Sequence, residues 1–184
     1  MNASRPLADA DAVVAFWREA GPGRWFAKDP AFDTRFRERF AAEHAAAARG
    51  ELDAWADHPA GALALLILLD QYPRNSFRGT ARMFATDAHA RRIAAAAVDA
   101  GLDQAVDVSL RHFFYLPFMH SESLADQDRA VALCCALGPD ACRHARVHRD
   151  LIARFGRFPH RNAVLGRSST ADELRYMDDG GFAG

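Results

Sequence analysis

Two short stretches hold the densest polar chemistry in the chain. Residues 69–80 read LDQYPRNSFRGT and supply Arg74, Asn75 and Arg78. Residues 154–167 read RFGRFPHRNAVLGR and supply Arg157, Arg161, Asn162 and Arg167. Each stretch has an aromatic–Pro step, an Arg-Asn pair and a Gly just beyond. Guanidinium forks grip carboxylate or phosphate with two parallel hydrogen bonds. An Asn amide both donates and accepts, which fixes a ligand's orientation. The chemistry implied is recognition of a small anionic ligand or an acidic peptide end. The competing reading is that these Arg side chains tie off helix-end carbonyls and pair with Asp70, Asp126 and Asp150.

Histidines supply the candidates for proton transfer, because imidazole titrates near neutral pH. His120 lies in MHSES after Pro117, with Glu122 beside it and Asp126 following. Glu122 could orient His120 or act itself; equally, Ser121, Ser123 and Glu122 suit the start of a helix. His148 precedes Asp150 in RVHRD, and Asp150 and Arg154 stand at i,i+4, where they would pair. His144 and His148 have metal-binding spacing, but the Glu of a zincin helix is missing. His160 sits within the second stretch and could join His120 and His148 with Glu122, Asp126 or Asp70. That pairing is loose, so no metal and no cofactor is expected. The catalytic candidates are His120, Glu122, His148 and Asp70. The ligand-binding candidates are Arg74, Asn75, Arg78, Asp126, Arg157, His160, Arg161 and Asn162.

Helices must position these groups. Asp29-Pro30 pairs a capping acid with Pro at the first helical position. Phe32, Phe36 and Phe40 then recur every fourth residue as one buried stripe, and Gly50 marks the stop. Residues 60–69 are apolar all round, which predicts burial on all sides. Pro73 pushes Tyr72 out of helical geometry, so that helix should stop there. Asp70 is unfavourable at a helix C-terminus, and Arg74 or Arg78 should compensate. Pro117 should end the helix that starts near Ser109. Thr170 and Glu173 form a capping box for a short last helix. No stretch alternates with period two. The chain therefore reads as all-α, one domain over 1–184, with roughly seven to nine helices on short connections.

Half the residues are apolar, 26% are charged and the net charge is −1, so no global field favours nucleic acid or an anionic membrane. Lys28 is the only lysine. Cys134, Cys135 and Cys142 lie in one helical region without CxxC spacing. They read as neither a disulfide framework nor a zinc site, which points to the cytoplasm. The opening MNASRPLADADAVV lacks the apolar core of a signal peptide. There is no G-x-S-x-G elbow, P-loop or dinucleotide fingerprint.

The segments LDQYPRNSFRGT, FFYLPFMHSESLADQ and HRDLIARFGRFPHRNAVLGR resemble a bacterial family catalogued as domain of unknown function 924. GPGRWFAKDPAFD and GGFAG are similar to it too. The resemblance implies stacked antiparallel helix pairs like those of tetratricopeptide-repeat proteins. It implies His148 and Asp150, not His144, as part of the family pattern, and it implies no reaction. The leading expectation is a binding or regulatory domain with an Arg/Asn/His-lined pocket. The alternatives are a hydrolase or lyase with a His base, and a structural or assembly module.

Overall fold

The computed structural model describes residues 9–184; the opening residues read above as lacking a leader lie in part outside that range. All regular structure among the described residues is helical, in line with the all-α expectation. No helix among them is long and apolar enough to cross a membrane. The chain divides into two compact units. The first holds the chain up to Arg78 together with Arg82–Pro117, and the second holds Gly79–Ala81 and Phe118–Gly184.

The first unit opens with α1 (Ala10–Ala20), whose start is capped by Asp9 accepting from the Ala12 amide at 2.8 Å. The single turn α2 (Pro22–Trp25) carries Trp25, whose indole N–H donates to the Trp17 carbonyl at 2.7 Å. Trp25 is thus the anchor its size suggests, but Phe26 is 65% exposed. In α3 (Pro30–Ala48), Asp29 accepts from the amides of Ala31 and Phe32, and Pro30 sits where its missing N–H costs nothing. Phe32, Phe36 and Phe40 are buried as one stripe against Phe16, with ring centroids 5.3–5.5 Å away.

The next helix, α4 (Pro59–Leu66), is buried nearly all round. At Gly61 a side-chain methyl would collide with the Trp55 carbonyl, so only glycine permits this approach. The helix does not stop at Tyr72-Pro73, contrary to the sequence expectation. It widens into a π-turn at Ile67–Gln71, with the Tyr72 amide donating to Ile67, and continues as α5 (Tyr72–Ser76). Pro73 has no N–H, so the carbonyls of Leu69 (at α spacing) and Leu68 (at π spacing) lack a helical donor. Side chains supply the donors: His44 Nδ1 reaches Leu68 O at 2.9 Å and Thr86 Oγ1 reaches Leu69 O at 2.5 Å. His44 must therefore carry its proton on Nδ1. Thr86→Val keeps the shape and removes the donor, and should cost about 1–3 kcal/mol in thermal unfolding.

The remaining helices of the first unit are α6 (Asp87–Asp99), closed by left-handed Gly101, and most of α7 (His112–Met119). Pro117 lies inside α7 instead of ending it. Past it, the buried Gln127 amide donates to Met119 O at 2.7 Å and Ser121 O at 2.6 Å, which satisfies carbonyls that the helix end leaves open.

In the second unit, α8 (Leu124–Leu137) and α9 (Pro139–Phe155) form a hairpin turned at Gly138. Gly156, in the left-handed region, ends α9, and α10 (Ala171–Asp178) starts on the expected Thr170–Glu173 capping box. Leu151, Ile152 and Phe158 form a small core, with Phe155, Tyr176 and Phe182 packed against it. One expectation is overturned here: Cys135 and Cys142 form a disulfide, leaving Cys134 as the buried free thiol. Neighbouring cysteines do not bridge each other, but the turn at Gly138 brings the end of α8 against the start of α9.

Candidate functional site

The site candidates of the first unit lie on the π-turn, on α5 or just after it. Asp70 is 1% exposed and is held by Arg74 Nη1 at 3.1 Å and by the Gln71 amide at 2.6 Å. The Arg74 fork grips Asp87 at 2.8 and 3.0 Å and also donates to the Asp70 carbonyl. Burial opposes the Arg74 charge, yet Asp70 and Asp87 together hold its pKa above the ordinary value. Asn75 Nδ2 donates to Asp33 Oδ1 at 2.7 Å, and Arg78 Nε donates to Asp33 Oδ2 at 2.7 Å. The compensation expected for Asp70 is present. Asp33 and Asp87 are the acids that sequence reasoning missed, and both sit in the first turn of a helix, where a capping role is the local signal.

In the second unit Glu122 accepts from the Phe158 amide at 2.8 Å and from the Arg167 fork at 2.6 and 2.9 Å. Burial works against its ionised form, but Arg167 and the Phe158 amide outweigh that and hold its carboxyl below the ordinary value. Arg167 also donates to Asn162 Oδ1 at 3.0 Å. Arg157 grips Glu173 at 2.6 and 2.8 Å, and Asn162 Nδ2 reaches Ser169 at 3.1 Å. Asp126 accepts from Ser121 Oγ at 2.6 Å. Asp150 does not pair with Arg154: it meets Arg149 at 3.4 Å, while Arg154 lies over the rings of Phe155 and Tyr176. Glu173, the acceptor for Arg157, was legible only as a capping residue.

The histidines are differently placed. The rings of His120 and His148 are 6.5 Å apart, and Phe158 lies 5.7 Å from His148 and 5.6 Å from His160. Phe182 packs edge-on against His148 at 4.6 Å and His160 at 5.4 Å, a role no sequence signal gave it. Arg161 stacks on Phe158 and donates to the His120 carbonyl at 3.0 Å. His148 Nδ1 is 2.9 Å from the His144 carbonyl, so that nitrogen carries the proton and Nε2 keeps its lone pair. His160 Nδ1 is buried without a hydrogen-bond partner. Among the described residues no three His, Cys, Asp or Glu side chains are grouped to hold a metal ion.

Burial, reinforced by the nearby charge of Arg161, lowers the pKa of both His148 and His160 to about 4. Both imidazoles are neutral at pH 7. The unfolded chain takes up these protons near pH 6.5, before the folded one does. The stability due to these groups should be complete above pH 6.5 and decline as the pH falls to about 4. Denaturant titrations across that window should show a shallower decline in His160→Gln.

Among curated proteins none matches the chain. A solved structure of a protein of unknown function from Agrobacterium tumefaciens is 53% identical and superposes with a TM-score of 0.91, covering 93% of this chain and 97% of that one. The model of a family of bacterial proteins of unknown function, DUF924, matches residues 13–181. With the helical fold and the motifs in place over that whole span, the chain belongs to the DUF924 family.

Proposed function

We propose that the chain is a cytoplasmic binding or regulatory domain whose ligand-facing groups are His120, His148, His160 and Arg161. The ligand is a small carboxylate or phosphate, or an acidic peptide end. The observation that carries this reading is the buried His160 Nδ1 without a partner, in a cluster of imidazoles beside Arg161. A buried polar nitrogen favours a site that a ligand completes. Arg74, Arg78 and Arg157 are gripped by carboxylates of the chain itself, which supports a role in holding the scaffold. Binding is favoured over catalysis because imidazoles titrating near 4 are weak bases at neutral pH.

Thermal unfolding in the presence of orthophosphate, citrate and succinate tests the reading. A ligand held only by the native state raises the melting temperature, by about 2.7 kcal/mol of stabilisation at a hundred times Kd. The expected result is a rise with at least one of these anions that is lost in both His160→Ala and Arg161→Gln. No rise with any of them, or an equal rise in the variants, would refute it.

A further inference from the structure

We propose that Cys135 and Cys142 are a reversible oxidation site, a thiol pair at the turn of the α8–α9 hairpin that opens and closes by exchange with small thiols and disulfides. This inference does not rest on the binding role above.

The bond joins cysteines only 7 positions apart in the chain, across a hairpin whose helices already pack closely. Its removal returns less chain entropy than opening a longer loop would, because the cost of closing a loop rises with loop length. Ala130, Cys134 and Ala145 are also buried on the hairpin. Both bonded cysteines are partly exposed, so a dissolved thiol can reach them without unfolding the chain. Cys134, adjacent to Cys135, is sealed in the core, and burial pushes its thiol up to about 12. It forms almost no thiolate at neutral pH and does not compete in exchange.

The two sulfurs are not equivalent. Cys142 is the fourth residue of α9, near the helix start, where the backbone dipoles favour an anion. Cys135 lies in the last turn of α8, where they disfavour one. Cys142 is therefore the better leaving thiolate. In reduction, the thiolate of an incoming small thiol bonds to Cys135 Sγ and the Cys135–Cys142 bond breaks. The electron pair leaves on Cys142, which then takes a proton. A second thiol displaces Cys135 from the mixed disulfide. The balance is one protein disulfide plus two thiols giving a protein dithiol plus one small-molecule disulfide. Oxidation is the reverse, with a small disulfide such as glutathione disulfide as the oxidant. A reversible bond of this kind is also the form of disulfide that a reducing compartment accommodates.

Alkylation of the full chain, read by peptide mass spectrometry, tests this. Protein purified without reductant, then denatured and alkylated, should carry a label at Cys134 alone and yield a linked Cys135–Cys142 peptide. Dithiothreitol applied to the native protein should expose Cys135 and Cys142 to labelling, leave Cys134 unlabelled and leave the far-ultraviolet circular dichroism unchanged. Glutathione disulfide should then restore the linked peptide. In the single variants, Cys142 in Cys135→Ser should take up glutathione about three-fold faster at neutral pH than Cys135 in Cys142→Ser. The proposal fails if all three cysteines label whatever the oxidant, if the link involves Cys134, or if reduction requires unfolding. Equal or reversed rates in the two variants would overturn the assignment of Cys142 as the more acidic thiol.

Discussion

Arg74→Ala will lower the free energy of unfolding by about 3–5 kcal/mol, the range for removing one partner of a buried ion pair. Arg74 answers two acids at once, Asp70 and Asp87, and it also supplies a donor to the Asp70 carbonyl. Asp70 is 1% exposed, so water cannot replace the lost guanidinium. The Gln71 amide remains as a partner for Asp70 but brings no charge. Arg74→Lys retains the charge and loses the fork, so its cost should be smaller. Urea unfolding followed by circular dichroism separates the variants. A loss below about 1 kcal/mol in Arg74→Ala would mean that Arg74 is not a scaffold residue, and would return it to the ligand-binding candidates, where stability costs are small.

Glu173→Ala should cost about 2–4 kcal/mol, the loss of a helix cap together with charge-assisted hydrogen bonds. The Glu173 carboxylate is gripped by Arg157, takes a further hydrogen bond from Asn162 at 3.3 Å, and accepts the Thr170 amide at 2.7 Å as half of the capping box. Its loss removes a helix cap and an ion pair together. Glu173→Gln keeps the shape and should cost less. The acid limb provides a second readout. The Arg157 hydrogen bonds, against the effect of burial, lower the Glu173 pKa to about 2 from an ordinary 4.5. The unfolded chain takes up this proton first, so the contribution is complete above pH 4.5 and is lost as the pH falls to about 2. That window lies mostly below the one set by His148 and His160, and because Glu122 also contributes within it, the decline there should become shallower in Glu173→Gln. An unchanged acid limb in that variant would overturn the assignment.

What the sequence by itself determined is what depends on neighbours within a turn or so. Asp29-Pro30 and Thr170–Glu173 start helices, Gly50 follows the end of one, and the Phe32–Phe36–Phe40 stripe is buried, because capping and periodicity act over three or four residues. The pairing of Asp70 with Arg74 is legible for the same reason. What only the tertiary structure decided is which of many similar partners each group meets. Arg78 takes Asp33, 45 positions away, and Arg167 takes Glu122 at the same separation. Each arginine could chemically accept any acid, so only the packing of helices selects one. The same holds for Pro73. It reads as a stop until His44 and Thr86, remote in sequence, satisfy the carbonyls it leaves open and let the helix run on. His148 and His160 likewise carry no local signal that Phe158 and Phe182 will pack against them, and their loss of basicity is a property of burial that exists only once the chain has folded.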